Sequence, residues 1–232
     1  MNHELQINAT DGSGTFSAYA AFPEISPAPA VVVIQEIFGV NKNLRDICLK
    51  LADEGFVAIC PDLFWRQQPG IQLTDQTDAD WKRAFELFNG FNVDKGIDDL
   101  KATLDFVRTH PACTGKAGTL GYCLGGKLAF LMATRSDADC NISYYGVGLD
   151  ALLGESANIK KPLMLHIAEK DEYTPPEARE KIITGLKDNK NVETYVYPGM
   201  DHAFTRLGGK HYNHDAAALA YERTEDFLAK NL

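Results

Sequence analysis

The chain lacks any apolar stretch approaching the ~20 residues needed to span a bilayer, so no membrane partner is expected. Its opening residues, MNHELQINATDGSG, contain neither a basic cluster nor an apolar run. No signal peptide is therefore expected, and the cytoplasm is the expected location. Excess positive charge is missing too: 23 Lys and Arg against 32 Asp and Glu leave a net charge of -9. That balance argues against nucleic acid as a partner, and it means that an anionic substrate must be met by a local cation. Cysteine is scarce, and its five positions (48, 60, 113, 123 and 140) form no CxxC or other metal-like spacing, so no metal is expected. Neither GxGxxG nor GxxxxGK[ST] occurs, which removes the common phosphate loops. Repeats, low-complexity tracts and Pro/Gly/Ser linkers are absent as well, so residues 1–232 read as one domain.

What is present is a regular alternation. LQINAT and FSAYAAF flank the turn DGSG and predict an antiparallel hairpin. Continuous apolar runs of the kind buried in parallel sheets follow: AVVVIQ (30–35), FVAIC (56–60), AGTLGY (117–122), ISYYG (142–146), PLMLHIA (162–168) and ETYVYP (193–198). Helical patterns lie between them. NLRDICLKLADEG ends on Gly55, and VDKGIDDLKATLDFVRTH sets Ile97, Leu100, Leu104 and Val107 along one face. LGGKLAFLMATR, PEAREKIITGLK and DAAALAYERTEDFLAKNL complete the set. Such an order predicts an α/β fold, a mostly parallel sheet with helices on both faces, and ligands at the carboxyl ends of the strands. Cys48, Cys60 and Cys140 sit in or beside apolar runs and read as buried, reduced thiols.

GTLGYCLGGKLAF (118–130) places Cys123 between an apolar run and a helical one, framed by Gly121, Gly125 and Gly126. A strand, a sharp turn and a helix with one polar atom at the apex is how α/β-hydrolases present a nucleophile, although that residue is usually Ser. Small neighbours suit the tight backbone, the helix N-terminus favours thiolate, and the Leu124 N–H would face a developing oxyanion. The alternative is a structural cysteine in a Gly-rich turn. Two later strand ends weigh for chemistry. Asp171 follows PLMLHIA in EKDEYTPPE, with Glu169 and Glu172 as alternative acids, and His202 follows ETYVYP in GMDHAF. Nucleophile, acid and His in that order match a triad in which the His takes the thiol proton and the acid orients it. His166, inside its strand, reads as structural. Glu36, at the end of another apolar run, is costly to bury without a partner. It reads either as a structural acid or as a carboxylate that modulates the thiol, and the Ile37 N–H could complete an oxyanion hole.

QEIFGVN (35–41), PDL (61–63), GYCLGG (121–126), YYGVGL (144–149), Asp171 and HAF (202–204) together resemble the dienelactone hydrolase family over nearly the whole chain. The resemblance implies an α/β-hydrolase fold without a cofactor and the conversion of dienelactone to maleylacetate. It implies Cys123 as nucleophile, His202 as base, Asp171 as its orienter, and Glu36 as a contact of the resting thiol that swings away when substrate binds. Arg206 matches a family position that holds the substrate carboxylate, and Tyr145 falls among the substrate-binding positions. At two others the chain departs: Trp81 stands where an arginine is expected, with Lys82 and Arg83 beside it, and Phe85 where the family can have Tyr. Trp81 reads equally as core packing and Lys82 and Arg83 as a solvated face. A monomer acting on a small lactone or ester is the expected form. A broader thiol esterase, or a binder that forms a covalent adduct without turnover, are the rival readings.

Overall fold

The computed structural model describes residues 2–232. Its eight strands hydrogen-bond in the order β1-β2-β4-β3-β5-β6-β7-β8, a mostly parallel sheet accompanied by helices. The chain divides into two compact units, one running to Thr119 and one starting at Leu120.

In the first unit, β1 (Asn2–Asn8) and β2 (Thr15–Ala21) form the antiparallel hairpin, closed by the Ala9 N–H donating to the Gly14 carbonyl at 2.9 Å. Alternate residues of β2 are buried, as expected for a strand with one face on the core. β4 (Val57–Pro61) runs antiparallel to β2 and parallel to β3 (Ala28–Ile34). Every residue of β4 is buried, which accounts for its unbroken apolar run. α1 (Lys42–Asp53) starts where the Asn41 side chain accepts the Leu44 N–H at 3.2 Å, and Gly55 beyond it takes φ 93°. α2 (Asp78–Asn89) is capped by Thr77, and α3 (Val93–Thr109) by Asn92. Ile97, Leu100, Leu104 and Val107 are buried along α3.

One polar cluster ties this unit together. The Asp99 carboxylate, 1% exposed, accepts the Trp65 indole N–H at 2.9 Å and two Arg66 N–H groups at 2.9 and 2.7 Å. Arg66 also reaches Asp11 and Ser13 in the hairpin turn, and Lys95 joins Asp11 at 2.8 Å. A buried charge is tolerated here because its lone pairs are engaged. In the same unit, Cys48 and Cys60 are both fully buried, and the Cys48 sulfur together with burial pushes the Cys60 thiol well up. Neither forms a disulfide.

β5 (Cys113–Tyr122) carries the chain across the division. It begins four residues before the apolar run AGTLGY, because CTGK extends the ladder with side chains that are mostly exposed. The second unit holds α4 (Leu124–Arg135), β6 (Asn141–Tyr144), β7 (Leu163–Ala168), α5 (Pro176–Leu186), β8 (Val192–Tyr197) and α6 (His214–Asn231). β6, β7 and β8 are parallel in register, Tyr144 opposite His166 and His166 opposite Tyr195. Phe130, Leu149, Leu163, Leu165, Ile167, Ile182 and Leu186 form its core. A 3₁₀ segment at Leu149–Asn158, not foreseen from the sequence, contributes Leu149 to that core. No helix among the described residues is long and apolar enough to cross a membrane.

Candidate active site

Cys123 sits between β5 and α4 with φ 56°, a sign that L residues other than Gly rarely adopt. Its N–H donates to the Tyr144 carbonyl at 3.0 Å, and its carbonyl accepts the Lys127 N–H at 3.1 Å, so the turn is held at both ends. The flanking glycines are required by space. A Cβ on Gly121 would overlap the Gly125 carbonyl, and one on Gly126 would lie 2.6 Å from the Tyr144 oxygen and 2.8 Å from Gly146 Cα. Strand and helix therefore approach closely, and the α4 N-terminus, with its first-turn N–H groups beginning at Leu124, lies beside the thiol.

The same unit brings Asp171 and His202 together. Asp171 Oδ2 is 2.8 Å from His202 Nδ1, and Oδ1 accepts the Tyr173 N–H at 2.9 Å. Asp171 is 4% exposed, and Cys123 and His202 are 8% exposed, so each presents little more than an edge to solvent. Of the rival acids, Glu169 accepts the Gly199 N–H at 2.7 Å, and Glu172 is exposed. Burial works against a charged His202. The Cys123 sulfur and the Asp171 carboxylate outweigh it and push the imidazole up to about 10. His202 Nε2 is buried and makes no hydrogen bond of ordinary geometry among the described residues, leaving it available for proton transfer.

Two tyrosines meet the imidazole edge-to-face, Tyr145 with ring centroids 5.0 Å apart and Tyr173 at 4.8 Å. Tyr145 is pinned by its hydroxyl to Thr205 Oγ1 at 2.9 Å and by its N–H to the His166 carbonyl at 2.7 Å. Tyr145 and Ala203 have φ 38° and 60°, so the non-Gly residues with positive φ among the described residues (Cys123, Tyr145 and Ala203) are each a catalytic candidate or next to one. His166 is an internal support. It is fully buried, bonded to the Tyr197 hydroxyl at 2.7 Å and Thr224 Oγ1 at 3.1 Å, stacked on Tyr144, and driven down to about 3 by burial. Arg206 is half-buried four residues after His202, its N–H donating to the Ala203 carbonyl at 3.0 Å. The sequence does not single out Tyr173, because a loop aromatic has no periodicity to flag it. Its spacing of two from Asp171 was the available signal.

The remaining candidates lie in the first unit. Glu36 follows β3 and is 1% exposed, and Ile37 is buried beside it. Their loop is clamped from residues 71–73: the Leu73 N–H donates to the Phe38 carbonyl at 2.9 Å, Asn41 Nδ2 donates to the Leu73 carbonyl at 3.0 Å, and a Cβ on Gly39 (φ 75°) would overlap the Ile71 carbonyl. Trp81 is packed between Phe38, at 5.0 Å, and Phe85, at 5.6 Å, and its indole N–H donates to the Asp75 carbonyl at 3.0 Å. Phe85 is 39% exposed. Lys82 is exposed, and Arg83 is paired with Glu86 and Gln68. No group of three or more His, Cys, Asp or Glu among the described residues is placed to hold a metal ion.

The dienelactone hydrolase family model matches residues 16–232. The chain belongs to the dienelactone hydrolase family. It is 50% identical over 240 aligned positions, 99% of each chain, to a protein of Azospirillum brasilense whose own assignment as a carboxymethylenebutenolidase is provisional. It is 40% identical to the carboxymethylenebutenolidase of Pseudomonas putida, covering 99% of this chain and 97% of that one. Among solved structures, a provisionally assigned dienelactone hydrolase from Klebsiella pneumoniae subsp. pneumoniae MGH 78578 superposes with a TM-score of 0.86 at 26% identity, over 99% of this chain and 98% of the other. The protein is a carboxylic ester hydrolase with the α/β fold of that family.

Proposed function

We propose that this family member opens dienelactone to maleylacetate through Cys123, His202 and Asp171. The observation that carries the reading is a cysteine at a strand-to-helix turn, electrostatically coupled to an imidazole that Asp171 grips at 2.8 Å. At neutral pH His202 holds a proton beside the sulfur, and the Cys123 thiolate attacks the acyl carbon. Backbone N–H groups of Leu124, at the start of the helix after the turn, and of Ile37, in the loop after β3, receive the oxyanion. Collapse breaks the ring C–O bond, and the enolate leaves and takes the His202 proton on its way to the ketone. His202, now neutral, removes a proton from water, the hydroxide adds to the thiolester, and the thiolate departs as the second carboxylate is released. Glu36 is assigned the control of the resting thiol, and Arg206 the substrate carboxylate, with Tyr145, Trp81 and Phe85 as further walls of the substrate site.

The aromatic packing of Trp81, where the family can have arginine, favours a second reading, a broader esterase that accepts less polar acids. Kinetics separate the two. Arg206→Ala is expected to raise KM for dienelactone roughly ten- to a hundredfold, the scale of a charge-assisted pair, and to leave p-nitrophenyl acetate nearly unchanged. Equal losses on both substrates would remove the carboxylate from the proposal. Cys123→Ala that still turned over either ester would remove the mechanism, and a stoichiometric burst without turnover would mark a covalent binder.

A further inference from the structure

Tyr173 is the aromatic residue that the mechanism leaves without a task. It follows Asp171 by two positions, and its backbone N–H is held by that carboxylate at 2.9 Å, so its location is tied to the element that orients His202. The ring packs edge-to-face on the imidazole, 4.8 Å between centroids and 77° between planes. That contact fixes one end of the side chain while 41% of the residue stays exposed. Among the described residues its hydroxyl makes no hydrogen bond, whereas the Tyr145 hydroxyl on the other side of His202 is occupied by Thr205. Burial, and after it the Glu172 carboxylate, the Cys123 sulfur and the Asp171 carboxylate, oppose ionisation of the Tyr173 phenol and keep it a neutral donor, while Arg206 acts the other way. An uncommitted hydroxyl donor therefore stands among the nucleophile, the base and a guanidinium.

We propose that the Tyr173 hydroxyl is a specificity-determining donor that binds the substrate carboxylate together with Arg206. The inference rests on the carboxylated-lactone reading above and adds a second contact to it. A phenol suits this place. It donates one hydrogen bond without adding charge, and its ring is held by the imidazole, so little rotamer freedom is lost on binding. Arg206 alone supplies charge, whereas charge and a directed neutral donor together fix the position of a carboxylate relative to the sulfur. The expected ligand class is a small five-membered-ring acid or ester with a carboxylate one or two carbons from the ring.

The test is inhibition of p-nitrophenyl acetate hydrolysis by furan-2-acetate, a non-hydrolysable ring acid, with furan-2-acetamide as its neutral counterpart. Tyr173→Phe keeps the ring on His202 and deletes only the donor. It is expected to raise Ki for furan-2-acetate about three- to tenfold, as for one hydrogen bond, and to leave Ki for the amide within about twofold. The proposal is overturned if Tyr173→Phe changes neither Ki, if it weakens acid and amide equally, or if the acid fails to inhibit the wild type. Turnover of dienelactone by the wild type, measured alongside, reports on the proposed reaction separately. A protein that ignores dienelactone yet shows the acid-selective loss keeps Tyr173 as a carboxylate reader for another substrate.

Discussion

Asp171 and His202 are joined through Oδ2 and Nδ1 at 2.8 Å, while the second carboxylate oxygen is held by the Tyr173 N–H at 2.9 Å. The acid is thus anchored from its own loop, an arrangement that suits the orienting role proposed for it.

Asp171→Asn should fold normally and lose about 10²- to 10⁴-fold in kcat, because an amide keeps the shape but can present its N–H to Nδ1 and favour the wrong tautomer. Glu172→Gln, on an exposed side chain, should stay within about twofold. Steady-state kinetics on one ester for both variants decide the assignment, and an inactive Glu172→Gln with an active Asp171→Asn would reverse it.

The two buried histidines should give stability opposite dependences on pH. His202 is raised to about 10 from 6.5, so its contribution is full below about pH 6.5 and lost as pH rises through 10. His166 is lowered to about 3, so the unfolded chain takes up a proton that the folded chain refuses, and stability falls as pH drops from 6.5 toward 3. Urea midpoints across that range should show a steeper alkaline loss in wild type than in Cys123→Ala, whose His202 has lost the charge beside it. Identical alkaline limbs would mean that the sulfur does not hold the proton.

Gly126→Ala should destabilise by about 1–3 kcal/mol or more, since the new methyl meets backbone on both sides and neither the Tyr144 carbonyl nor Gly146 can swing away. Gly154→Ala, with nothing within 4 Å, should change stability by no more than about 0.5 kcal/mol. Denaturant unfolding of the pair tests whether the close approach of strand and helix is as tight as described.

Arg66→Ala should cost about 2–3 kcal/mol, because it strips two donors from a buried Asp99 and releases the hairpin turn at Asp11 and Ser13. Arg66 is partly solvated, which keeps the figure below that of a fully buried pair. KM and kcat at 25 °C should be unchanged while Tm falls. A loss of activity matching the loss of Tm would show that this cluster also shapes the site.

The strands and helices were legible because their signals are local. β4 is apolar throughout because it is buried throughout, and the α3 stripe Ile97, Leu100, Leu104 and Val107 repeats at helical spacing. What escaped depends on contacts that no window of sequence contains. ISYYG reads as strand to its end, but the structure leaves the strand after Tyr144, where Tyr145 takes φ 38° and its ring turns to His202. Asp171, Glu169 and Glu172 are chemically alike in sequence and separate only when Gly199 claims one, solvent another and His202 the third. Trp81 was open between substrate wall and packing, and its indole N–H and both ring contacts are taken up by neighbours in its own unit.

The positive φ values at Cys123, Tyr145 and Ala203 bear on how this chain can be engineered. A stability-guided redesign would place glycine at all three, since glycine alone adopts such backbones without steric penalty. At 203 that exchange sacrifices a single methyl. At 123 and 145 it would delete the sulfur and the ring beside the imidazole. On the proposed mechanism, thermal robustness and turnover therefore compete at two of these positions and not at the third, and a library meant to harden the protein should admit glycine at 203 while holding 123 and 145 constant.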